Sequence, residues 1–237
     1  MRYLLASATD NRYAPNLINS LDGILIGGVD EAGRGSIIGP LIVAGVSIHE
    51  SKISKLRDMG VRDSKQLTAK VRARLYDEII SVVDHYHIHS IDSCEVDDSV
   101  FQKGLNRLEA RTMASVIDRI HAHEVYVDCC DVNPDRYREH IAAHLDRRPV
   151  IHSMHHADRI NVAVSAASIL AKVTRDGSIQ KIRRRYRSVG SGYPSDEKTM
   201  SFLRQWVAKK KCAPEFARRS WKPMRTMLEE FEQRRLF

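Results

Sequence analysis

At 237 residues, 43% of them hydrophobic, the chain can bury a large core without staples, and Cys94, Cys129, Cys130 and Cys212 show no CxxC spacing, which argues against a disulfide framework and for a reducing, cytoplasmic setting. The formal charge of +8 is unevenly placed: residues 181–237 hold 16 Lys and Arg against 6 Asp and Glu, while residues 1–180 hold 22 against 24, a basic tail suited to a nucleic acid or another polyanion, or to plain solvation. No membrane span is expected, because the longest weakly polar run, Ile160 to Val173, is broken by Asn161, Ser165, Ser168 and Lys172, and the first ten residues lack the apolar stretch of a signal peptide.

Residues 1–22 have no clear period and are read as an N-terminal extension. Ile24 to Asp30 and the β-branched run Leu41 to Ile48 read as strands joined by the sequence GGVDEAGRGSIIGP, Gly27 to Pro40. Neighbouring side chains of a strand point to opposite faces, so Asp30 and Glu31 would serve one site only if the backbone turns or bulges there, which Gly33 and Gly35 permit. Thr68 is an expected N-cap for a helix with Val71, Leu75, Ile79 and Val82 on its apolar face, and the Asp63-Ser64-Lys65 turn lies at its mouth. Val83 to Ile91 alternates as a half-exposed strand. One long helix is predicted from about Val96 to Ile120, buried through Leu105, Leu108, Met113, Val116 and Ile120.

Val125 to Asp128 is a short strand that stops on an acid, Asn133-Pro134 starts a helix through Leu145, and Pro149 to His152 can form one more strand. From Asp158 the pattern is helical, and beyond Gly190 short helical stretches are separated by Gly192, Pro194, Pro214 and Pro223. Strands alternating with helices after adjacent strands argue for an α/β or α+β layer with a mixed sheet. The expected organisation is therefore residues 1–22 as extension, 23–180 as sheet domain and 181–237 as a basic helical lobe.

Acids fall at the ends of several elements: Asp30 with Glu31, Asp128, and Asp158. Each alone also suits a cap or turn. Together, converging carboxylates make chemical sense around hard divalent cations such as Mg²⁺, and two such ions can activate water and steady the leaving oxygen of a phosphodiester. His140 and His144 stand four apart on a helix, but no third zinc ligand is near in sequence. Cys129 and Cys130 read as small apolar filling after a strand.

The segments GVDEAGRGSIIGP, DSKQLT, VYVD, HADRINVAVSAASILAKVTRD, GSGYPSDEKT and RRSWK, in that order from about Gly27 to Lys222, resemble ribonuclease HII, the type 2 ribonuclease H family, in its archaeal-type form. The resemblance implies a ribonuclease H-like mixed five-stranded sheet flanked by helices, with a helical C-terminal region. It also implies hydrolysis of RNA in RNA/DNA hybrids and cutting 5′ of ribonucleotides in duplex DNA, with two Mg²⁺ or Mn²⁺ ions, leaving 5′-phosphate and 3′-hydroxyl ends. Asp30, Glu31, Asp128 and Asp158 match the family's catalytic, metal-binding carboxylates. Gly33, Arg34 and Gly35 match the loop that reads the 2′-hydroxyl through its backbone, and Tyr193 matches the tyrosine that packs on the sugar. Ser64, Lys65, Ser165 and Lys172 are candidate phosphate contacts.

Residues 1–22 are too short for the added domain of type 3 relatives, which usually carry Glu where this chain has Asp158. The Arg-Ile-Asn that follows Asp158 departs from the family's usual lysine or aromatic with proline. Gln233, Leu236 and Phe237 resemble part of a clamp-binding peptide, so a sliding clamp is an expected partner. The chain is expected to work as a monomer. A noncatalytic nucleic-acid-binding module on the same fold is the alternative reading, and the presence of all four acids weighs against it.

Overall fold

A computed structural model describes residues 23–233. The extension 1–22, and Leu236 and Phe237 of the expected clamp peptide, lie outside them. Among the described residues no helix is long and apolar enough to cross a membrane.

The first half supplies β1 (Leu25–Ala32), β2 (Leu41–His49), α1 (Ile53–Asp58), α2 (Ala69–Val82), β3 (His85–Ile91), α3 (Ser93–Phe101) and α4 (Leu105–Ile120). β4 (Glu124–Asp128), α5 (Pro134–Ala142), β5 (Val150–Met154), α6 (Ala157–Ile160), α7 (Val162–Arg185), α8 (Glu197–Lys210) and α9 (Lys222–Gln233) follow. The sheet has the order β3-β2-β1-β4-β5, with β3 and β2 antiparallel to their neighbours and β1, β4 and β5 parallel. This is the mixed five-stranded sheet that the sequence predicts.

Local chemistry sets the boundaries. Thr68 accepts from Val71 N at 3.3 Å and Asn133 from Arg136 N at 3.1 Å, so both expected helix starts are capped. The single long helix predicted from Val96 to Ile120 is instead two. Lys103 takes a left-handed φ of 54° and Gly104 N bonds Ser99 O at 2.8 Å, which ends α3 and lets α4 begin at a new angle. α1 is short and buries Leu56.

Two apolar layers cover the sheet. On one face Ile42, Ala44, Val46 and Ile48 pack with Leu75 and Ile79 of α2 and with the Ala-rich start of α7. On the other, Val29, Val43, Val125 and Val127 pack with Met113, Val116 and Ile120 of α4 and Tyr137 of α5. The first face requires glycine: a Cβ on Gly28 would lie 2.1 Å from the Ala163 carbonyl carbon, so helix and strand backbones nearly touch.

α7 has 24 residues, about 36 Å of helix, and is continuous through residue 180. Its second half enters a third core with Ile37, Ile38, Val189, Leu203, Ala217 and Met224. Backbone bonds stitch this core to the loop after β1: Ile37 N and Ile38 N donate to Gly192 O at 2.8 and 3.1 Å, and Gly39 N to Phe216 O at 2.8 Å.

Candidate active site

β1 carries both adjacent acids, and it stays regular through them. Asp30 pairs with Ala44, Glu31 with Val43 and Ala32 with Ile42, so the bend expected at Glu31 is absent. The chain turns only at Gly33, whose φ is +89° and where a Cβ would fall 2.7 Å from Pro40 O. Acids on opposite faces of a regular strand nevertheless share a neighbour because β4 stops short. Its last pairing with β1 is Val29 with Val127, which leaves Asp30 and Glu31 past the paired edge beside Asp128. Asp30 then interacts with Ser168 and Lys172 of α7, and Glu31 with Glu109 of α4, while both feel Asp128.

Their electrostatics are those of crowded, buried carboxylates. Burial, then the Asp128 charge, pushes Asp30 up to about 7, opposed by a hydrogen bond from Ser168, by Lys172 and by Glu31 N, which donates to Asp30 Oδ1 at 2.7 Å. Burial and the charges of Asp30, Glu109 and Asp128 hold Glu31 well above the usual carboxylate range. Asp128 is raised by burial and by Asp158, although Ala157 N donates to its Oδ1 at 2.8 Å. Asp158, on the short α6, is buried; its Oδ2 accepts from Lys65 Nζ at 3.3 Å.

Two buried oxygens, Glu31 Oε2 and Asp158 Oδ1, have no hydrogen-bond partner. Such oxygens are costly to leave unmade, and a hard divalent cation is the ligand that carboxylates of this kind accept. Among the described residues no three His, Cys, Asp or Glu side chains stand gathered to hold one ion as they are placed. The fit is thus one of donor chemistry: oxygen ligands, mutual repulsion and unpaired lone pairs at one sheet end. His140 and His144 belong to no such cluster either.

The remaining predicted residues divide by exposure. Gly35 is exposed, with nothing within 4 Å of a Cβ position, so its backbone is open to an approaching ligand. Lys65 keeps 56% of its side chain exposed. Ser64 is fully buried, 2.9 Å from Ser168 Oγ, and accepts from Lys172 Nζ. Ser165 is also buried and donates to Asp158 O at 2.6 Å. Both hydroxyls, expected at phosphates, are spent inside the protein, which favours bracing over phosphate contact. Lys172 is half-buried and also donates to Ser168 Oγ at 3.0 Å.

Tyr193 follows Gly192, whose carbonyl binds the loop after Gly35, and the Arg175 guanidinium lies 4.3 Å over its ring. Arg175 also donates from Nη2 to Ser36 Oγ at 3.1 Å and to Ser191 O at 2.7 Å, joining loop and tyrosine. Arg34, by contrast, turns its side chain inward to Glu109 and Asn106.

Sequence reasoning missed several residues that brace the site: Ser168, Arg175, Arg218, which donates to Arg34 O at 2.7 Å, Asn106, Glu109, and Asp131, which accepts from Asn106 Nδ2 at 2.9 Å. The first three lie inside the motif stretches but carried no pattern of their own. Glu109 had a usable signal, since it lies four residues from both Leu105 and Met113 on the buried stripe of α4. Cys129 and Cys130 do more than fill space, because their Sγ atoms donate to Asp131 O at 3.2 Å and Glu109 Oε2 at 3.1 Å.

The family model described as Ribonuclease HII matches residues 27–224. The Ribonuclease HII of Cenarchaeum symbiosum is 50% identical over 202 residues, covering 85% of this chain and 97% of its own. The crystal structure of ribonuclease H2 from Pyrococcus horikoshii is similar with a TM-score of 0.84 at 39% identity, over 89% of this chain and all of that one. The RNase HII of Archaeoglobus fulgidus, solved in complex with PCNA, gives a TM-score of 0.77 at 34% identity, over 84% and 96% of the two chains. With its sheet, its carboxylate-lined end and these likenesses in agreement, the chain belongs to the ribonuclease HII family and is a metal-dependent ribonuclease H.

Proposed function

We propose that this enzyme is an endoribonuclease that hydrolyses the RNA strand of RNA/DNA hybrids and cuts 5′ of ribonucleotides embedded in duplex DNA, leaving 5′-phosphate and 3′-hydroxyl ends. The observation that carries the reading is the set of buried and half-buried, mutually raised carboxylates standing directly before a glycine turn that is exposed at Gly35. Asp30, Glu31, Asp128 and Asp158 would hold the divalent ions, Mg²⁺ or Mn²⁺ and two per site. When bound, such ions activate water and neutralise charge on the scissile phosphate and the leaving oxygen.

The chain's own groups do the rest. Gly33 to Gly35 bring backbone donors and acceptors to the 2′-hydroxyl, which both donates and accepts hydrogen bonds and lines the accessible minor groove of A-like duplexes. Tyr193, held by Arg175, packs against the sugar beside the scissile step. Lys65 steadies the charge of Asp158 and Lys172 that of Asp30, with Lys65 exposed enough to meet a phosphate as well. The basic residues from 181 onward grip the duplex on both sides of the step.

For partners, we propose a sliding clamp at the C-terminus. Gln233, Leu236 and Phe237 resemble a clamp-binding peptide, and the Archaeoglobus fulgidus relative was solved with PCNA. Two exposed free cysteines, Cys94 and Cys212, suit the proposed cytoplasmic setting.

The reaction is tested with a duplex holding one ribonucleotide and labelled at either end. A single cut on the 5′ side of the ribonucleotide, with a 5′-phosphate on the downstream fragment, is expected. A 2′,3′-cyclic phosphate product would mean that the ribose hydroxyl is the nucleophile and would refute the proposed chemistry. Asp128→Asn should lose turnover by more than about 100-fold, the upper end for losing even a partner of a metal ligand, with duplex affinity within a few fold. A folded, fully active variant would remove Asp128 from the site.

A further inference from the structure

Glu109 is a charged residue with no exposed surface, on α4, outside the four carboxylates and their lysines. Its Oε1 and Oε2 accept from Arg34 Nε at 2.9 and 3.0 Å, and Arg34 Nη2 donates to Asn106 Oδ1 at 2.7 Å. Asn106 Nδ2 passes the contact on to Asp131 Oδ2 at 2.9 Å, three residues after Asp128, and Arg136 closes the chain on the other oxygen of Asp131. From the opposite side, the buried Arg218 donates from Nη1 to Arg34 O at 2.7 Å.

The central arginine of the glycine loop is therefore bound at its guanidinium by α4 and at its carbonyl by the C-terminal segment. Its two neighbours, Gly33 and Gly35, have no side chains with which to fix the loop. A backbone that must read one hydroxyl needs its donors held in place, and the anchored Arg34 is what can hold them.

We infer that Glu109 is a positioning residue for ribonucleotide selectivity: by binding Arg34 it fixes the Gly33–Gly35 backbone, and by accepting from Cys130 Sγ at 3.1 Å it ties that loop to the segment that follows Asp128, a tie that Arg34 doubles through Asn106 and Asp131. The inference rests on the proposed reading of this loop as the 2′-hydroxyl sensor. Glu109 acts through its bonds to Arg34.

The test measures affinity by fluorescence anisotropy, with metal chelated so that nothing is cut, for a duplex with one ribonucleotide and for its all-deoxy counterpart. Wild type, Glu109→Gln and Asn106→Ala are compared, each with its melting temperature. Wild type should prefer the ribonucleotide by about tenfold, the worth of one or two hydrogen bonds to the hydroxyl. In Glu109→Gln the preference should fall to about twofold as those bonds misalign, with all-deoxy affinity unchanged because no phosphate contact is lost. Asn106→Ala should shift the ratio the same way by less.

A residue with only a structural role would lower the melting temperature or both affinities together and leave the ratio alone. A folded Glu109→Gln with the wild-type ratio would overturn the inference. If that variant does not fold, an unchanged ratio in Asn106→Ala, at a half-buried position, would do the same. A wild type that binds both duplexes alike would refute the sensor reading of the loop instead.

Discussion

At the scale of single residues, the site is a balance of charges that the fold forces together. Asp30 is the clearest case, with burial and Asp128 raising it to about 7 against an ordinary 3.8. A carboxyl raised on folding binds its proton more tightly in the native state, so as pH rises from about 4 to about 7 the native chain loses stability relative to the unfolded one. Removing that charge should therefore help at high pH and not at low. In chelator, Asp30→Asn should raise the melting temperature at pH 8 by roughly 5 °C, since each kcal/mol moves it about 2–4 °C in a domain of this size, and the gain should vanish at pH 4. A gain of equal size at both values would show that Asp30 is not held against its charge. The same crowding explains the inward-turned helpers: Ser168 and Lys172 answer Asp30, and Lys65 answers Asp158.

At the scale of elements, the site depends on how closely α7 lies on β1. Gly28 faces the Ala163 backbone, and neither a central strand nor a buried helix can move aside for a methyl group. Gly28→Ala should destabilise by about 3 kcal/mol or more, read from the denaturant midpoint, as overpacking of a tight core does. A loss under about 0.5 kcal/mol, the range of an ordinary surface substitution, would mean that the layers are looser than described. Most elements were legible in the sequence because their signals are local: alternation in β3, β-branched β2, and side-chain caps at Thr68 and Asn133. The break at Lys103-Gly104 was missed because an apolar stripe continues across it and outweighed the stop signal of Gly104; the left-handed φ of Lys103 and the Gly104 N–Ser99 O bond report it. The regular path of β1 was misjudged for another reason. Whether two adjacent acids can share a site depends on the register of the neighbouring strand: the stop of β4 at Asp128 was legible, but its last pairing, Val127 with Val29, is a fact that no spacing reveals. The acids themselves were found by motif resemblance, whereas Glu109 and Asp131, held by contacts distant in sequence, were not found.

At the scale of the whole molecule, an acid-rich sheet end is joined to a strongly basic C-terminal region by one continuous helix. Arg184, Arg185 and Arg187 stay exposed around the end of α7, and Lys198, Lys209, Lys210 and Lys211 are exposed along α8 and just past it. If this region grips a duplex, log affinity should fall with log salt by roughly 0.9 for each phosphate neutralised, and Arg184→Gln with Arg187→Gln should flatten the slope by about 2. A slope near zero in the wild type would leave the basic region without its partner. On the proposed reading the division of labour follows from charge: carboxylates would gather the ions, cations the phosphate backbone, and the glycine loop between them would meet the sugar. The most direct test of that account offers a DNA duplex with one ribonucleotide to the intact chain in Mg²⁺, in Mn²⁺ and in chelator. Cutting at the ribonucleotide in at least one metal and none in chelator is the expected result; tight binding with no cut in either metal would contradict it.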